Sequence, residues 1–488
     1  MTVPNSFLSA ASWEGNAFSS GWRQMSHSQQ VLNPADGEVL CCVGVAAAAD
    51  IERAAAIART AQSDWASVGF EQKASILRTA AQILQENAEE IVGWITRETG
   101  ATPAKGRFEV AITSRCLYEA AAMPSQPQGV VLPSLDGRMS FARRMPLGVI
   151  GVISPFNFPL YLSMRAVAPA LAVGNGVVLK PDLRTPVVGG FILARLFEAA
   201  GLPADVLHVL PGGVEAGEAL CTDANIAMIQ FTGSTATGRR VGALAGQHLK
   251  KVSLELGGKN SLIVLDDADL EIAASNAAWG AYLHQGQICM AAGRILVQMS
   301  VAEEFVDKIS ARARNFLVGD PSTHPVALGP LITQQQRDRA HAIVHDSVRA
   351  GARLTEGGSF EKLFYRPTVL SGVRPGMRAF EEEIFGPVAA ITEFDTDDEA
   401  VDLANRTDYG LSAGIISRSV DRAMAIGNRL RTGLLHINDQ TVNDDVVNPF
   451  GGRGQSGNGT NIGGPANWDE FTQWQWVTVK TAATRYPF

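Results

Sequence analysis

The middle of the chain alternates short apolar runs with longer segments of helical periodicity, and this alternation limits the folds it can adopt. A run that is apolar on both faces suits a buried parallel strand, and each crossover between parallel strands requires a connection such as a helix. The first series has predicted strands at 148–154, 176–180, 206–210 and 226–231, with predicted helices at 160–173, 187–200 and 235–249. The pattern therefore predicts a doubly wound parallel sheet.

A second series of the same kind begins near Ser261. Its predicted elements are a strand at 262–265, a helix at 270–283, a strand at 295–298 and a helix at 301–316. A chain of 488 residues exceeds what one hydrophobic core normally serves. We therefore expect two α/β domains, preceded by a mainly helical segment at 46–120 and a Pro- and Gly-rich crossing at 124–137.

Composition and charge exclude several classes of function. The net charge is −8 and no block of Lys or Arg is present, which argues against a nucleic-acid or lipid surface. No apolar stretch reaches the roughly 18 residues of a membrane helix, and the first residues lack the features of a signal peptide. The five cysteines are too scattered for a disulfide framework or a metal site. We expect a cytoplasmic protein without a bound metal.

Cys289 is the strongest candidate for chemistry. It follows Gly286 in the polar turn QGQICM at 285–290, where a substrate could approach the thiol. Most lone cysteines are simply small buried hydrophobes. Here Glu255 lies 34 residues earlier in the motif LELGGK, and a carboxylate in a Gly-Gly context offers the base that covalent cysteine chemistry needs.

The segment FTGSTATG at 231–238 follows an apolar strand and opens a helix. Free amides at a helix N-terminus, approached closely because of glycine, form a pyrophosphate site. The alternative is an ordinary glycine turn that ends a strand. A Gly-x-Gly-x-x-Gly pattern at 452–457 lacks the preceding strand and following helix, so we reject it as a dinucleotide fingerprint.

Two further polar residues stand at predicted strand ends, where ligands of parallel sheets bind. Asn157 could present its amide to a developing oxyanion, or it could simply cap the next helix. Lys180 could reach a ribose or a phosphate, or it could lie in solvent.

Taken together, the motifs resemble those of the NAD(P)-dependent aldehyde dehydrogenase superfamily. They occur in the family's order along nearly the whole chain: PFNFP at 155–159, KP at 180–181, FTGS at 231–234, LELGG at 254–258, GQIC at 286–289, EIFGP at 383–387, and PFGG at 449–452 with SG at 456–457. The resemblance implies a nucleotide-binding domain (1–125 and 147–256), a catalytic domain (257–448) and a small β bridging element (126–146 and 470–488) that makes homodimers or homotetramers.

The resemblance also implies roles for individual residues. Cys289 would be the nucleophile that forms a thiohemiacetal with the aldehyde, and Asn157 with the backbone N–H of Cys289 would form the oxyanion hole. After hydride transfer, Glu255 would activate the water that hydrolyses the thioester. The residues implied to bind NAD or NADP are Ser154, Phe156, Asn157, Lys180, Arg184, Gly213, Phe231, Gly233, Ser234, Gly238, Leu256, Glu383 and Phe385.

The sequence departs from many NAD-specific relatives three residues after Lys180. Those relatives carry a glutamate for the adenosine ribose, whereas Leu183 stands here and Arg184 follows. Loss of a carboxylate removes repulsion against a 2′-phosphate, and a guanidinium can pair with one. We therefore expect NADP⁺ to be accepted alongside NAD⁺.

The predicted substrate pocket is apolar and partly aromatic. Its candidate residues are Tyr161, Arg165, Ile288, Met290 and Phe450, and the surrounding segments are similar to those of benzaldehyde and vanillin dehydrogenases. Such a pocket suits an aromatic aldehyde. Arg165 has two possible placements: in the pocket it could hold a carboxylate, as in semialdehyde dehydrogenases, or a ring hydroxyl. On the outer helix face, which the sequence favours slightly, it would be only a salt-bridge partner.

Three rival classes remain open at this point. A CoA-acylating aldehyde dehydrogenase would typically lack the glutamate, so Glu255 favours hydrolysis to the free acid. A cysteine hydrolase would need a histidine partner, for which His284 and His436 are available. A purely structural relative would typically have lost Cys289 or Glu255, and both are intact.

Overall fold

The computed structural model describes residues 7–9, 12–134 and 137–488. Within these ranges seven strands form a first sheet, and the first five of them in spatial order are parallel to one another. In spatial order the strands are Lys251–Glu255, Ile226–Thr232, Val149–Ile153, Gly176–Lys180, Leu207–Val209, Asn16–Phe18 and Trp22–Gln24. The predicted strands agree with this sheet to within one residue at each end. The strand Lys251–Glu255 was not predicted, because its alternating Lys, Ser and Glu residues interrupt the apolar run.

The second sheet also contains seven strands in the described part of the chain, and all neighbouring pairs except the first are parallel. In spatial order they are Arg353–Glu356, Thr368–Ser371, Val388–Phe394, Arg294–Gln298, Ser261–Val264, Ser412–Ile416 and Leu434–Ile437. Two doubly wound parallel sheets therefore confirm the predicted fold class.

Helices cover both sheets. Around the first sheet and before it they are Ala48–Ser67, Phe70–Glu86, Ala88–Thr99, Pro103–Ala122, Pro159–Ala172, Ile192–Ala199, Val214–Thr222 and Thr235–Gln247. Around the second sheet they are Leu270–Tyr282, Met299–Asn315, Gln334–Arg349, Arg378–Glu381, Asp397–Asn405 and Val420–Gly427, and Ala466–Phe471 precedes the last strand. Within the described ranges, no helix is long and apolar enough to cross a membrane.

The predicted helix at 187–200 begins instead as a π-helical turn, Val187–Phe191. The buried carboxylate of Glu98 accepts hydrogen bonds from the amides of Val187 and Val188 at 2.9 and 2.7 Å. Burial raises the pKa of Glu98 to about 8. A side chain that satisfies the first amides stabilises an irregular helix start that periodicity alone does not reveal.

A small antiparallel sheet stands apart from the two parallel ones. Its three strands in the described part are Thr472–Val479, Met139–Pro146 and Gly129–Val131. Its apolar side chains are unusually exposed, with Val131 at 87% and Trp476 at 68%. Residues 135–136 of the predicted bridging element, like residues 1–6 and 10–11 of the first predicted segment, lie outside the described ranges. Short hairpins complete the fold: His27–Leu32 with Val39–Val45, Phe360–Glu361 with Phe364–Tyr365, and Tyr409–Gly410 with Arg453–Gly454.

Loops at the carboxyl ends of the first sheet meet loops of the second. The amide of Gly258 donates to Glu383 Oε1 at 3.0 Å, which joins the segment after the first sheet to the loop before Val388–Phe394. In parallel α/β sheets ligands bind beyond the carboxyl ends of the strands. The crevice between the sheets is therefore where a site is expected.

Candidate active site

Two cavities meet in this crevice. The larger has a volume of about 1110 Å³ and the smaller about 520 Å³. Five residues line both: Asn157, Leu162, Thr232, Glu255 and Cys289. The structure thus brings the three residues predicted to be catalytic to the common wall of two compartments.

Asn260 holds the turn that carries Cys289. Its side-chain amide donates to the carbonyls of Cys289 and Ala291 at 2.8 and 2.9 Å, and its oxygen accepts from the amide of Ser412 at 2.9 Å. Before the cysteine, Gln285 has a positive φ of 58°. The side chain of Asn260 thus ties the irregular turn that carries Cys289 to the second sheet.

The thiol of Cys289 is neutral at rest. Burial raises its pKa to about 12, and the neighbouring carboxylates of Glu383 and Glu255 add to the effect. The thiolate is the nucleophilic form of cysteine. Attack by Cys289 therefore requires a base or a bound group that changes this environment.

Glu255 is the last residue of its strand, where it is paired with Thr232 on one side and bridged to Gly457 on the other. Its side chain is buried, and neither carboxylate oxygen has a hydrogen-bond partner among the described residues. Burial raises the pKa of Glu255 well above its ordinary value. A buried carboxyl with a raised pKa keeps its proton to a higher pH than a free carboxyl does, and once ionised it can act as a general base.

Asn157 is buried at the N-terminal side of the helix Pro159–Ala172. Its side-chain amide donates one hydrogen bond to the carbonyl of Gln287 at 2.9 Å, which leaves its second amide hydrogen for a ligand. The backbone carbonyl of Asn157 accepts from Lys105 Nζ at 2.9 Å. It does not cap the helix, because no side-chain cap is present there.

Sequence reasoning missed the ion pair that supports this segment. Lys105 pairs with Glu109 in a fully buried contact, and its ammonium lies 4.1 Å from the centre of the Phe158 ring. Glu109 Oε1 also accepts from the amides of Leu160 and Tyr161, at 2.9 and 3.2 Å. A carboxylate is favourable at a helix N-terminus. The Lys-Glu spacing of four residues on a helix is the one signal that could have drawn attention to the pair.

The smaller cavity contains almost all the residues that the resemblance assigned to the cofactor. Those that line it are Ser154, Phe156, Asn157, Lys180, Arg184, Gly213, Phe231, Gly233, Ser234, Leu256, Glu383 and Phe385. Gly238 does not line it; a β-carbon there would lie 2.4 Å from Leu256 Cδ2, so this glycine allows close packing of the helix against the strand.

One part of the smaller cavity carries the groups that bind the phosphates of a dinucleotide. Ser234 is the N-cap of the helix Thr235–Gln247, so the free amides of the first turn lie at the cavity. A β-carbon at Gly233 would lie 2.6 Å from the Phe231 ring, so glycine keeps the approach open. Lys180 Nζ donates to the carbonyl of Gly212 at 2.8 Å and adds a positive charge to the wall.

Glu383 and Phe385 also line this cavity. Burial raises the pKa of Glu383 to about 7. Phe385 has a positive φ of 55°, which is strained for a bulky residue, and Gln336 Nε2 holds its carbonyl at 2.9 Å. The Phe385 ring meets the Phe156 ring edge-on, with centres 5.9 Å apart. The rings place an apolar surface beside Cys289.

Arg184 is not a free guanidinium. It binds both oxygens of Asp182, at 2.8 and 2.5 Å, and stacks over Phe156 at 4.0 Å. Although burial opposes ionisation of Asp182, the hydrogen bonds from Arg184 lower its pKa below the ordinary value. Asp182 is a cavity residue that sequence reasoning missed, because attention fell on the neighbouring position, Leu183.

The larger cavity is lined by all five residues assigned to the substrate pocket: Tyr161, Arg165, Ile288, Met290 and Phe450. Arg165 is 3% exposed, and it pairs with Asp444 on the cavity wall. The preference for the outer helix face was therefore wrong: Arg165 faces inward and is a salt-bridge partner at the same time. Helix periodicity could not show this, because every residue of the helix from 163 to 172 is buried.

Neither histidine considered as a partner for Cys289 lines the two cavities in the described part of the chain. His284 is buried against Phe158, and burial lowers its pKa well below the ordinary value. The described residues also contain no group of three or more His, Cys, Asp or Glu side chains placed to hold a metal ion. The geometry offers Glu255 as a base for cysteine chemistry, and it does not offer a cysteine–histidine pair.

Comparisons with known proteins point to one family. The aldehyde dehydrogenase family model matches residues 22–477. The chain is 52% identical over 485 residues to a vanillin dehydrogenase of an Amycolatopsis species, covering 99% of this chain and 100% of that protein. It is 49% identical to a benzaldehyde dehydrogenase [NAD(+)] of Pseudomonas putida, covering 98% of each.

The solved structures agree with the sequence relatives. A salicylaldehyde dehydrogenase of Pseudomonas putida G7, crystallised with salicylaldehyde, matches with a TM-score of 0.93 at 33% identity, covering 97% of this chain and 99% of that chain. The match of family model, sequence and fold over nearly the full length shows that the chain belongs to the aldehyde dehydrogenase family.

Proposed function

We propose that the protein oxidises aromatic aldehydes to carboxylic acids with NAD⁺ or NADP⁺. The observation that carries the proposal is the common wall of the two cavities. Cys289 lines both the larger, largely apolar cavity and the smaller cavity, which is lined by the residues that the resemblance assigned to the cofactor. The activities named for the relatives, on vanillin, benzaldehyde and salicylaldehyde, support the substrate class.

In the proposed reaction the sulfur of Cys289 adds to the aldehyde carbon, and its proton leaves to a base. The carbonyl oxygen becomes an oxyanion that accepts from the free amide hydrogen of Asn157 and the backbone N–H of Cys289. Each such donor is worth roughly 3–4 kcal/mol in a site of this kind. When bound, the nicotinamide accepts the hydride, and the residues proposed to hold the dinucleotide are those that line the smaller cavity, with Ser234, Lys180 and Glu383 as its polar anchors.

Hydride loss leaves a thioester on Cys289. Glu255 then takes a proton from water, the resulting hydroxide attacks the thioester carbon, and the carboxylic acid and the thiolate separate. A general base contributes about 10²- to 10⁴-fold to such a step. The presence of Glu255 favours hydrolysis over transfer to CoA. The ion pair of Arg165 with Asp444 weakens the case for a semialdehyde dehydrogenase, which would need a free cation for its carboxylate.

The proposal is tested by following the absorbance of reduced nicotinamide with benzaldehyde, vanillin and succinic semialdehyde, each with NAD⁺ and with NADP⁺. We expect turnover of the two aromatic aldehydes and its loss in Cys289→Ala, since the substrate would have no nucleophile. Cys116→Ala, which removes a buried thiol outside both cavities, is the matched control and should stay active. Preference for succinic semialdehyde would overturn the aromatic assignment.

The raised pKa of Glu255 predicts a pH-dependent second step. Because a carboxyl with a raised pKa becomes a base only as the pH rises through that pKa, thioester hydrolysis should accelerate with pH. In Glu255→Gln we expect a burst of about one equivalent of reduced nicotinamide per site, followed by turnover roughly 10²- to 10⁴-fold slower than in the wild type. The ratio of wild-type to variant hydrolysis rates, measured by rapid quench, should increase with pH; a constant ratio would exclude Glu255 as the base.

For the cofactor, we propose that the pair of Asp182 and Arg184 lets the protein use both dinucleotides. Asp182 can accept from a ribose hydroxyl, as the missing glutamate at position 183 would, while Arg184 is close enough to meet a 2′-phosphate if it turns from Asp182. The stacking of Arg184 on Phe156 keeps the guanidinium at the cavity in either case.

We expect NAD⁺ and NADP⁺ to bind within about 100-fold of each other, since a charge-assisted pair is gained or lost between them. In Asp182→Asn the repulsion of a 2′-phosphate falls, so NADP⁺ should bind about tenfold more tightly relative to NAD⁺. Calorimetric titration measures both ratios, and Asp398→Asn, with a carboxylate 82% exposed, serves as control. A thousandfold preference of the wild type for NAD⁺ would contradict the proposal that the protein uses both dinucleotides.

We further propose the domain division inferred from the sequence, with 1–125 and 147–256 binding the nucleotide, 257–448 carrying Cys289, and 126–146 with 470–488 bridging two copies as a homodimer or homotetramer. The exposed apolar side chains of the antiparallel sheet support a self-association surface. The cysteines, all free in the structure, suit a reducing cytoplasm.

Substituting Val131, the most exposed apolar residue of that sheet, tests the surface. We expect Val131→Arg to shift the protein to smaller species in sedimentation velocity, because a buried charge at an interface is costly. Leu249→Arg places the same charge on a residue 95% exposed near the end of the helix Thr235–Gln247 and should change nothing. A wild type that sediments as a monomer at all concentrations would contradict self-association.

A further inference from the structure

The carboxylate of Asp444 has one oxygen in use and one without a partner. Oδ2 accepts from the hydroxyl of Tyr161 at 3.0 Å and from Arg165. Oδ1 is buried and has no hydrogen-bond partner among the described residues. The side chain is only 9% exposed, and it lines the larger cavity together with Cys289.

Two of the three guanidinium nitrogens of Arg165 bind neighbouring groups, and Nε is buried without a hydrogen-bond partner among the described residues. One terminal nitrogen binds Asp444 and the other donates to the carbonyl of Ile462 at 3.0 Å. The guanidinium also lies 4.7 Å from the centre of the Phe450 ring. Its charge is balanced by a single carboxylate, so the wall carries an ion pair with no surplus positive charge for an incoming anion.

An unpaired buried acceptor is rare, because a polar group that loses water needs another partner. An ionised carboxylate only accepts hydrogen bonds. A ligand that reaches this carboxylate from the cavity can therefore satisfy it only with a donor. On an aromatic aldehyde, a ring hydroxyl supplies such a donor, whereas a methyl, a methoxy or a carboxylate group does not.

We propose that Asp444 is a specificity-determining residue that accepts a hydrogen bond from a ring hydroxyl of the substrate, so that the pocket selects phenolic aldehydes and rejects aldehydes that carry a carboxylate. This inference rests on the proposed function and narrows its substrate class. Arg165 and Tyr161 act through Asp444 as positioning residues, because both bind Oδ2 and so fix the carboxylate on the cavity wall.

The first test compares wild-type kcat/KM for the three isomers of hydroxybenzaldehyde with that for the three isomers of methylbenzaldehyde, which match them in shape. The measurement is made at a pH where the phenols are protonated. A charge-assisted hydrogen bond should favour at least one hydroxyl isomer over its methyl counterpart by about 10- to 100-fold. Turnover of both series without any preference would overturn the inference and leave the proposed function standing. Absence of turnover with every aromatic aldehyde would overturn both.

The second test removes the charge. In Asp444→Asn we expect the preference for hydroxyl over methyl to fall about tenfold, since the acceptor loses its charge. Arg165 then lacks its counter-ion, so kcat/KM for the formylbenzoates, which carry a carboxylate, should increase relative to the methylbenzaldehydes. A general structural defect would not produce such a gain. If Asp444→Asn leaves both the hydroxyl-to-methyl and the carboxylate-to-methyl ratios of kcat/KM unchanged, the role assigned to Asp444 is overturned.

Asp398→Asn is the control, because it makes the same substitution at a carboxylate that is 82% exposed and lies outside both cavities. Both ratios should keep their wild-type values in it. A fall of the hydroxyl preference equal to that in Asp444→Asn would contradict a specific role of Asp444. If Asp444→Asn does not fold, the wild-type comparison still decides whether the pocket recognises a ring hydroxyl.

Discussion

The site depends on how closely the backbone at Gly257 and Gly258 approaches two other segments. A β-carbon at Gly257 would lie 2.4 Å from the carboxylate of Glu383, and one at Gly258 would lie 2.4 Å from the carbonyl of Cys289. Backbone without side chains is the only structure that fits there. These two glycines therefore allow the end of the first sheet, the cysteine turn and the Glu383 loop to converge, and Glu255 reaches the common wall because the strand before them ends at this point.

Burial dominates the electrostatics of the converged segments. The pKa values of Cys289, Glu255 and Glu383 are all raised by burial, and their mutual repulsion raises that of Cys289 further. In the resting site these three groups therefore favour their protonated, uncharged forms. A neutral thiol reacts slowly with oxidants as well as with aldehydes, so the same environment that delays attack also protects the nucleophile.

The sequence predicted four of the five parallel strands of the first sheet and two of those of the second, because their apolar runs are bounded by Gly and Pro. It predicted no helix or parallel strand after residue 316. That Cys289, Glu255 and Asn157 act together was implied by the resemblance of their motifs to the aldehyde dehydrogenase family. The sequence could not reveal the partners of side chains separated by hundreds of residues, such as Asp444 with Arg165. The same limit explains why the strand Lys251–Glu255 was missed: its pairing with residues 228–232 and Gly457 decides its conformation, and its own composition does not.

The two cavities share a short wall of five residues, and their remaining linings differ. An aldehyde in one and a dinucleotide in the other would meet at this wall, where Cys289 lies. Outside these five residues, a substitution in either lining therefore contacts one ligand and leaves the surroundings of the other unchanged.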